Sequence, residues 1–197
     1  GMSYLLRSAR FLAAEVLEKA IRPGDTVIDA TMGNGHDTLT LCSLVGESGH
    51  VIAFDVQPAA VENTRQRLLE AGMLSRAALH CLGHEHMAEV VAGPVDAVVF
   101  NLGWLPGTDK ALRTRAETTL TAVNAVLDRL KEGALMTICV YPGHPEGRDE
   151  LDRLIAWGRA LPGEKYDVMA RAYLNQSGDP PVLIAVKKNK TRARKQG

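Results

Sequence analysis

Apolar positions along the chain follow two alternating patterns. One is a spacing of three to four residues, and the other is a short unbroken β-branched run. Leu5, Leu6, Phe11, Leu12, Val16 and Leu17 form a helical stripe over residues 3–20, with Ser3 at the N-cap position. Arg22-Pro23-Gly24-Asp25 ends it, and Thr26-Val27-Ile28 is then a short strand of the buried type. Gly33 and Gly35 supply a tight turn, after which His36-Asp37-Thr38 opens a helix carried by Leu39, Leu41, Leu44 and Val45. A turn over 46–50 leads to a second strand at 51–55. Pro58 then starts a helix that runs to Glu70 and stops at Ala71-Gly72. Residues 77–82 are a weaker third strand and 94–100 a clear fourth, ending at Asn101. A glycine- and proline-rich loop over 101–110 precedes a helix at 112–130, with Leu120, Val123, Leu127 and Leu130 on one face. A fifth strand at 133–140 exits through 141–145 into a helix at 146–161. The strands at 166–174 and 182–187, with Ser177-Gly178-Asp179-Pro180 between them, have hairpin character.

A helix, about five βα units and a closing hairpin predict an α/β fold. The expected form is a doubly wound, Rossmann-like, mainly parallel seven-stranded sheet with a terminal antiparallel hairpin and helices on both faces. No repeat or second domain interrupts it, so residues 2–188 are expected to form one domain, followed by a basic tail at 189–197. Gly1 before Met2 reads as the remnant of a cleaved tag.

Composition narrows the class. With 197 residues, 46% hydrophobic and 23% charged, the chain has the balance of an ordinary globular domain with one sizeable core. No apolar run approaches the ~20 residues of a membrane helix, and nothing at the amino end resembles a signal peptide, so a cytoplasmic location is expected. Cys42, Cys81 and Cys139 are widely spaced in apolar segments and are expected to be buried thiols. The net charge of zero hides an asymmetry. Lys187, Lys188, Lys190, Arg192, Arg194 and Lys195 leave a body with 17 basic and 23 acidic residues, a formal −6. Such a tail suits either a polyanionic partner or a solvated terminus.

In doubly wound sheets ligands bind outside the carboxyl ends of the strands. The chemistry should therefore lie in 29–37, 55–57, 83–86, 101–110 and 141–144. The run T-V-I-D-A-T-M-G-N-G-H-D-T over 26–38 is a strand–glycine turn–helix unit, but Thr38 stands where a dinucleotide site has its third glycine. Asp29, at the strand end, would repel a pyrophosphate and attract an ammonium or sulfonium. S-adenosylmethionine carries both. Asp55, closing the second strand, suits the hydroxyls of a ribose; alone it would fit NAD equally well.

Asn101 followed by Trp104 echoes the loop by which amino-group methyltransferases hold substrate. An attacking nitrogen must aim its lone pair at the methyl group, and an Asn carbonyl can accept its N–H bonds while an aromatic stacks on a base. The structural alternative is an Asn that caps a strand beside a groove-filling Trp. His84 and His86 flank Glu85, and His36 and His144 lie on neighbouring loops. H-x-H without a third nearby ligand is a weak metal pattern, and no metal is expected. His84 is expected near the adenine.

Several motifs together resemble one family. They are 29–38, Phe54-Asp55-Val56-Gln57, Asn101-Leu102-Gly103-Trp104-Leu105-Pro106-Gly107, Gly143-His144-Pro145-Glu146-Gly147, and Asn175-Gln176 before Asp179-Pro180-Pro181. The family was long labelled an rRNA methylase family and is now associated with bacterial tRNA 5-(aminomethyl)-2-thiouridine methyltransferase. The resemblance implies a class I fold and methyl transfer from S-adenosylmethionine to the exocyclic amine of a wobble uridine, with tRNA as partner through its anticodon region. It implies Asp29, Gly33, Asn34, Gly35, Asp37, Asp55, Gln57 and His84 on the cofactor side. Asn101 is the expected catalytic residue, with Trp104, Tyr141, His144 and Asn175 as substrate contacts. Family members usually carry Tyr where this chain has Trp104, which keeps stacking and loses the hydroxyl. A homodimer stays open. The alternatives are methylation of an rRNA base or a small amine, an NAD-dependent oxidoreductase, and a non-catalytic RNA-binding module.

Overall fold

The computed structural model describes residues 5–103 and 115–191. Seven strands form one sheet in the order β3-β2-β1-β4-β5-β7-β6. They are β1 (Thr26–Asp29), β2 (His50–Asp55), β3 (Ala77–Cys81), β4 (Val95–Leu102), β5 (Leu130–Val140), β6 (Tyr166–Arg171) and β7 (Val182–Lys188). β1 to β5 run parallel; β7 inserts antiparallel between β5 and β6. The strand order reverses between β1 and β4, which pair directly through Ile28 and Val98. The loops leaving those two strands diverge to opposite faces and open a crevice.

Side chains alternate across the sheet, and each face gathers its own helices. On one face Val27, Val51, Ala97, Val99 and Leu135 pack against α1 (Ala9–Ala20), α2 (His36–Val45) and α3 (Pro58–Glu70). On the other, Ile28, Phe54, Val98, Phe100, Met136 and Ile138 pack against α4 (Ala116–Leu127), α5 (Pro145–Ala160) and a 3-10 segment at His84–Glu89. That short segment is all that links β3 to β4. Among the described residues no helix is long and apolar enough to cross a membrane.

Four expectations need correction. α1 begins at Ala9 with Ser8, not Ser3, in the N-cap position. Its buried face is Ala9, Ala13 and Leu17, while Leu5, Leu6, Phe11 and Val16 are exposed. The small side chains let the helix lie close to β5 and β7, where Ala9 and Ala13 pack on Cys139 and Leu183. Leu130, expected to end a helix, opens β5, because α4 stops at Leu127 and Lys131 starts the climb into the sheet. Cys42 and Cys139 are buried as expected, but Cys81 is exposed, since β3 is an edge strand. The 182–187 and 166–174 strands do pair, yet the ordered ladder of β6 ends at Arg171, and 172–181 is a ten-residue loop rather than a tight turn.

Because β7 is antiparallel, Val182 lies at the carboxyl end of β5 and Lys187 beside Leu135, midway along it. The chain therefore leaves the sheet about 20 Å from the rim that carries the strand-end loops. Lys188 Nζ donates to the Leu130 carbonyl, Asn189 N–H to the Lys165 carbonyl, and Thr191 Oγ1 to Glu132. Residues 192–197 of the basic tail lie outside the described residues.

Candidate active site

The turn after β1 is closed from both sides. Ala30 N–H donates to the Val99 carbonyl on β4, and Met32 N–H to the Phe54 carbonyl on β2. Gly33 and Gly35 have φ of +51° and +89°. At Gly35 a Cβ would stand 2.8 Å from Thr64 Oγ1 and 2.9 Å from its Cα, so glycine is required both by the turn and by the close approach of α3. Space above Gly33 is open: nothing lies within 4 Å of where its Cβ would be. Thr64 Oγ1 donates to the Gly33 carbonyl, and Gly33 N–H donates to Asp55 Oδ2 at 3.0 Å. Gln57 N–H donates to the other Asp55 oxygen at 2.9 Å. Each oxygen keeps a lone pair, so Asp55 is a rigid double acceptor beside an open glycine turn. That arrangement fits a ribose and an adjoining chain laid over the turn. No side chain caps the start of α2, whose first N–H groups follow Gly35.

Asp29 sits beneath this turn, fully buried. Thr31 N–H donates to one oxygen at 3.2 Å and Thr38 Oγ1 to the other at 2.7 Å. Burial, partly offset by the Thr38 bond, pushes its carboxyl up to about 7. Asn34, by contrast, is exposed and turned to α3, its Oδ1 accepting from Asn63 and its carbonyl from Arg67.

Across the crevice Asn101 is anchored twice. Its N–H donates to Thr31 Oγ1 at 2.7 Å, and its Nδ2 donates to Asp37 Oδ2 at 2.6 Å. Asp37, expected on the cofactor side, thus reaches over to the strand that carries Asn101. A carboxylate only accepts, so the amide must turn its NH2 to Asp37 and its carbonyl Oδ1 away from it. Arg10 on α1 lies 3.4 Å from the same Asp37 oxygen and also bonds to Tyr141. Burial raises the Tyr141 hydroxyl, with Arg10 pulling the other way. A cavity of about 60 Å³ lies between α1 and α2, lined by Ala13, Leu17, Leu41 and Val99 together with Arg10, Asp37 and Asn101.

The other expected residues are more peripheral. His84 is buried, edge-on to Phe100 with ring centroids 5.5 Å apart, and bonded to the Ala30 backbone. Burial pulls its pKa down, so it stays a neutral support under the turn. His86 is exposed. His144 is the N-cap of α5, its Nδ1 accepting from Gly147 N–H at 3.1 Å. A Cβ at Gly147 would collide with the Tyr141 carbonyl, which is why this loop closes so tightly. Asn175 is exposed in the 172–181 loop, on the same rim. Trp104 lies outside the described residues. The structure thus brings Asp29, Gly33, Gly35, Asp37, Asp55, Gln57, Asn101 and Tyr141 to the crevice. Arg10, Thr31 and Thr64 were not singled out by sequence, and Thr38 only as the residue in place of a third glycine; they are ordinary helix and turn residues whose partners lie in other elements, and no local spacing marks those bonds.

The strand order, the glycine turn locked onto Asp55 and the polar Asn101 opposite define a class I S-adenosylmethionine-dependent methyltransferase. The sequence model of the family described as "Putative rRNA methylase" matches residues 51–187, and the chain belongs to that family. The chloroplastic tRNA (mnm(5)s(2)U34)-methyltransferase of Arabidopsis thaliana is 39% identical over 199 residues, covering 95% of this chain and 72% of that protein. A crystal structure described as that of a "putative rRNA-methylase" from Clostridium thermocellum superposes with a TM-score of 0.90 at 34% identity, over 94% of this chain and all of the other. A crystal structure from Streptococcus mutans described as "a putative methyltransferase", in complex with S-adenosylhomocysteine, superposes with a TM-score of 0.85 at 34% identity over 93% of this chain and 99% of its own.

Proposed function

We propose that the protein methylates the exocyclic amine of a 5-aminomethyl-(2-thio)uridine at the wobble position of tRNA. The single observation that supports this reading best is the 2.6 Å bond from Asn101 Nδ2 to Asp37, which leaves the amide carbonyl as a fixed acceptor turned from the carboxylate. An amine needs such an acceptor to orient its N–H bonds, and the 39% identical relative is by name a wobble-uridine methyltransferase.

When bound, S-adenosylmethionine supplies an electrophilic methyl group on a sulfonium. Asp55 would accept from its ribose, Gln57 and the buried His84 would border the adenine side, and the turn at Gly33, Asn34 and Gly35 would let its chain lie close to backbone. The uncapped first turn of α2 suits its carboxylate, and Asp29 beneath the turn favours its positive charge. On the substrate side Asn101 positions the amine, with Asp37 and Thr31 holding Asn101, and Arg10, bonded to Tyr141, holding Asp37. Trp104 would stack on the base, and Asn175 and His144 stand on the same rim. Asn101 takes up no proton, since a neutral amide is no base near pH 7. The amine sheds its proton to water before it is buried, because the ammonium form has no lone pair to attack with.

Mass spectrometry of tRNA nucleosides from cells with and without the gene tests the reading. Loss of the methylaminomethyl nucleoside and accumulation of its unmethylated amine are expected. Unchanged tRNA nucleosides beside a missing methyl mark in rRNA would transfer the activity to the ribosome.

A further inference from the structure

On the rim beside Asn101 the segment before α1 meets the loop after β6. Tyr173 Oη donates to the Leu6 carbonyl at 2.6 Å, tying the two together. At each a guanidinium lies over a ring: Arg7, before α1, is 4.7 Å from the centroid of Phe11 in its first turn, and Arg171, the last residue of β6, is 4.3 Å from that of Tyr173. Leu5 and Leu174 beside them are 97% and 99% exposed, and Phe11 is 57% exposed. Arg10, between Arg7 and Phe11 in the chain, reaches the Asp37–Asn101 pair, so this surface is continuous with the crevice. Among the described residues neither Arg7 nor Arg171 pairs with a carboxylate, and Nη1 of Arg171 is buried with no hydrogen-bond partner.

We propose that this surface, residues 5–11 with 171–175, docks an unpaired RNA loop, whose bases stack on the two arginine–aromatic pairs while its phosphates meet the guanidiniums. The proposal rests on the RNA methyltransferase reading and gives that site its approach surface. Sequence-specific proteins take unstacked loop bases on aromatic rings and arginine planes, and both are present here within reach of the site. A second copy of the chain is the rival occupant of an exposed apolar patch. A twofold contact would set Arg7 and Arg171 of one copy against the same cations of the other, with no carboxylate among the described residues of the patch to separate them. A polyanion suits it better. The surface also takes in Asn175, which is exposed and adjoins Leu174.

The test measures binding of a synthetic RNA hairpin with an unpaired loop by fluorescence anisotropy, with S-adenosylhomocysteine titration as the check on folding. The Arg7→Ala/Arg171→Ala protein should bind the hairpin about tenfold or more weakly, with a salt slope lower by about 0.7 for each phosphate left without its guanidinium. Phe11→Ala should lose affinity with the slope kept, and S-adenosylhomocysteine should bind all variants as it binds the wild type. If the double variant fails that check, Arg7→Ala and Phe11→Ala alone carry the comparison. Wild-type hairpin affinity in the variants would overturn the docking surface and leave the RNA reading standing. A wild type that binds the cofactor product and methylates a small amine but binds no RNA would overturn both. A dimer that Leu174→Asp splits, with hairpin affinity unchanged, would assign the patch to a second copy.

Discussion

Asp37 Oδ2 accepts a 2.6 Å hydrogen bond from Asn101 Nδ2, and that bond decides which end of the Asn101 amide faces the crevice. Replacing the carboxylate by an amide removes the decision, because an Asn at position 37 can either accept from or donate to its neighbour. Asp37→Asn should therefore lower kcat on the order of 10–100-fold through loss of orientation, with S-adenosylhomocysteine affinity little changed. Asn101→Ala should lower kcat at least as much. Stopped assays of kcat and KM beside calorimetric binding would check this; full turnover in Asp37→Asn would remove the orienting role.

Asp29 links the site to pH. Its carboxyl ionises near 3.8 when the chain is unfolded and near 7 in the fold, where burial is the main cause. Between those values the folded protein holds a proton the unfolded chain has released, so stability falls as pH rises from about 4 to 7 and then levels off. The shift bounds the effect at about 4 kcal/mol. A cation bound over the turn favours the ionised form, so S-adenosylmethionine binding should expel a proton below pH 7 and tighten as pH rises towards it. Asn keeps the shape and can still bond Thr31 and Thr38. Asp29→Asn should flatten both dependences, as read by denaturant titrations and by calorimetry in buffers of different ionisation heat. Equal pH profiles in the two proteins would contradict it.

His144 is a cap in this structure. Nδ1 accepts from Gly147 N–H, and protonating that nitrogen would turn it to the Glu146 carboxylate 3.2 Å away. His144→Ala should cost about 1 kcal/mol of stability, and His144→Asn, which restores an N-cap acceptor, should recover most of it. Turnover should fall far less in either than in Asn101→Ala, and the pH–rate profile should keep rising with ionisation of the substrate amine. A His144→Asn protein that is stable, binds tRNA and is inactive would make His144 the base.

The fold was legible because each signal was local and agreed with its neighbours. The β-branched run at 26–28 could only be a buried strand, and Gly33 and Gly35 could only be a turn before the helix opened by His36. Boundaries failed where tertiary packing outweighed periodicity. Leu5, Leu6 and Phe11 read as a core stripe, but α1 lies on its alanines, because only small side chains let it approach β5. Leu130 has helical spacing from Leu127 yet belongs to β5, where it packs in the core beside the 3-10 segment. In the site, Asp29, Asp55 and Asn101 were legible as polar residues ending apolar strands. The Asp37–Asn101 bond was not, since the partners are 64 residues apart and meet only because β1 and β4 are neighbours. Arg10 was hidden for the same reason: it is one more charge on an exposed helix until α1 brings it to Asp37.

The most direct measurement uses purified protein, methyl-labelled S-adenosylmethionine and tRNA bearing 5-aminomethyl-2-thiouridine, followed by digestion and mass spectrometry of the nucleosides. The label should appear on the exocyclic nitrogen of that uridine alone, and should vanish with Asn101→Ala while S-adenosylhomocysteine still binds. A label on a ring carbon, on ribose or on another nucleoside of the tRNA, with the aminomethyl nucleoside left intact, would contradict the account.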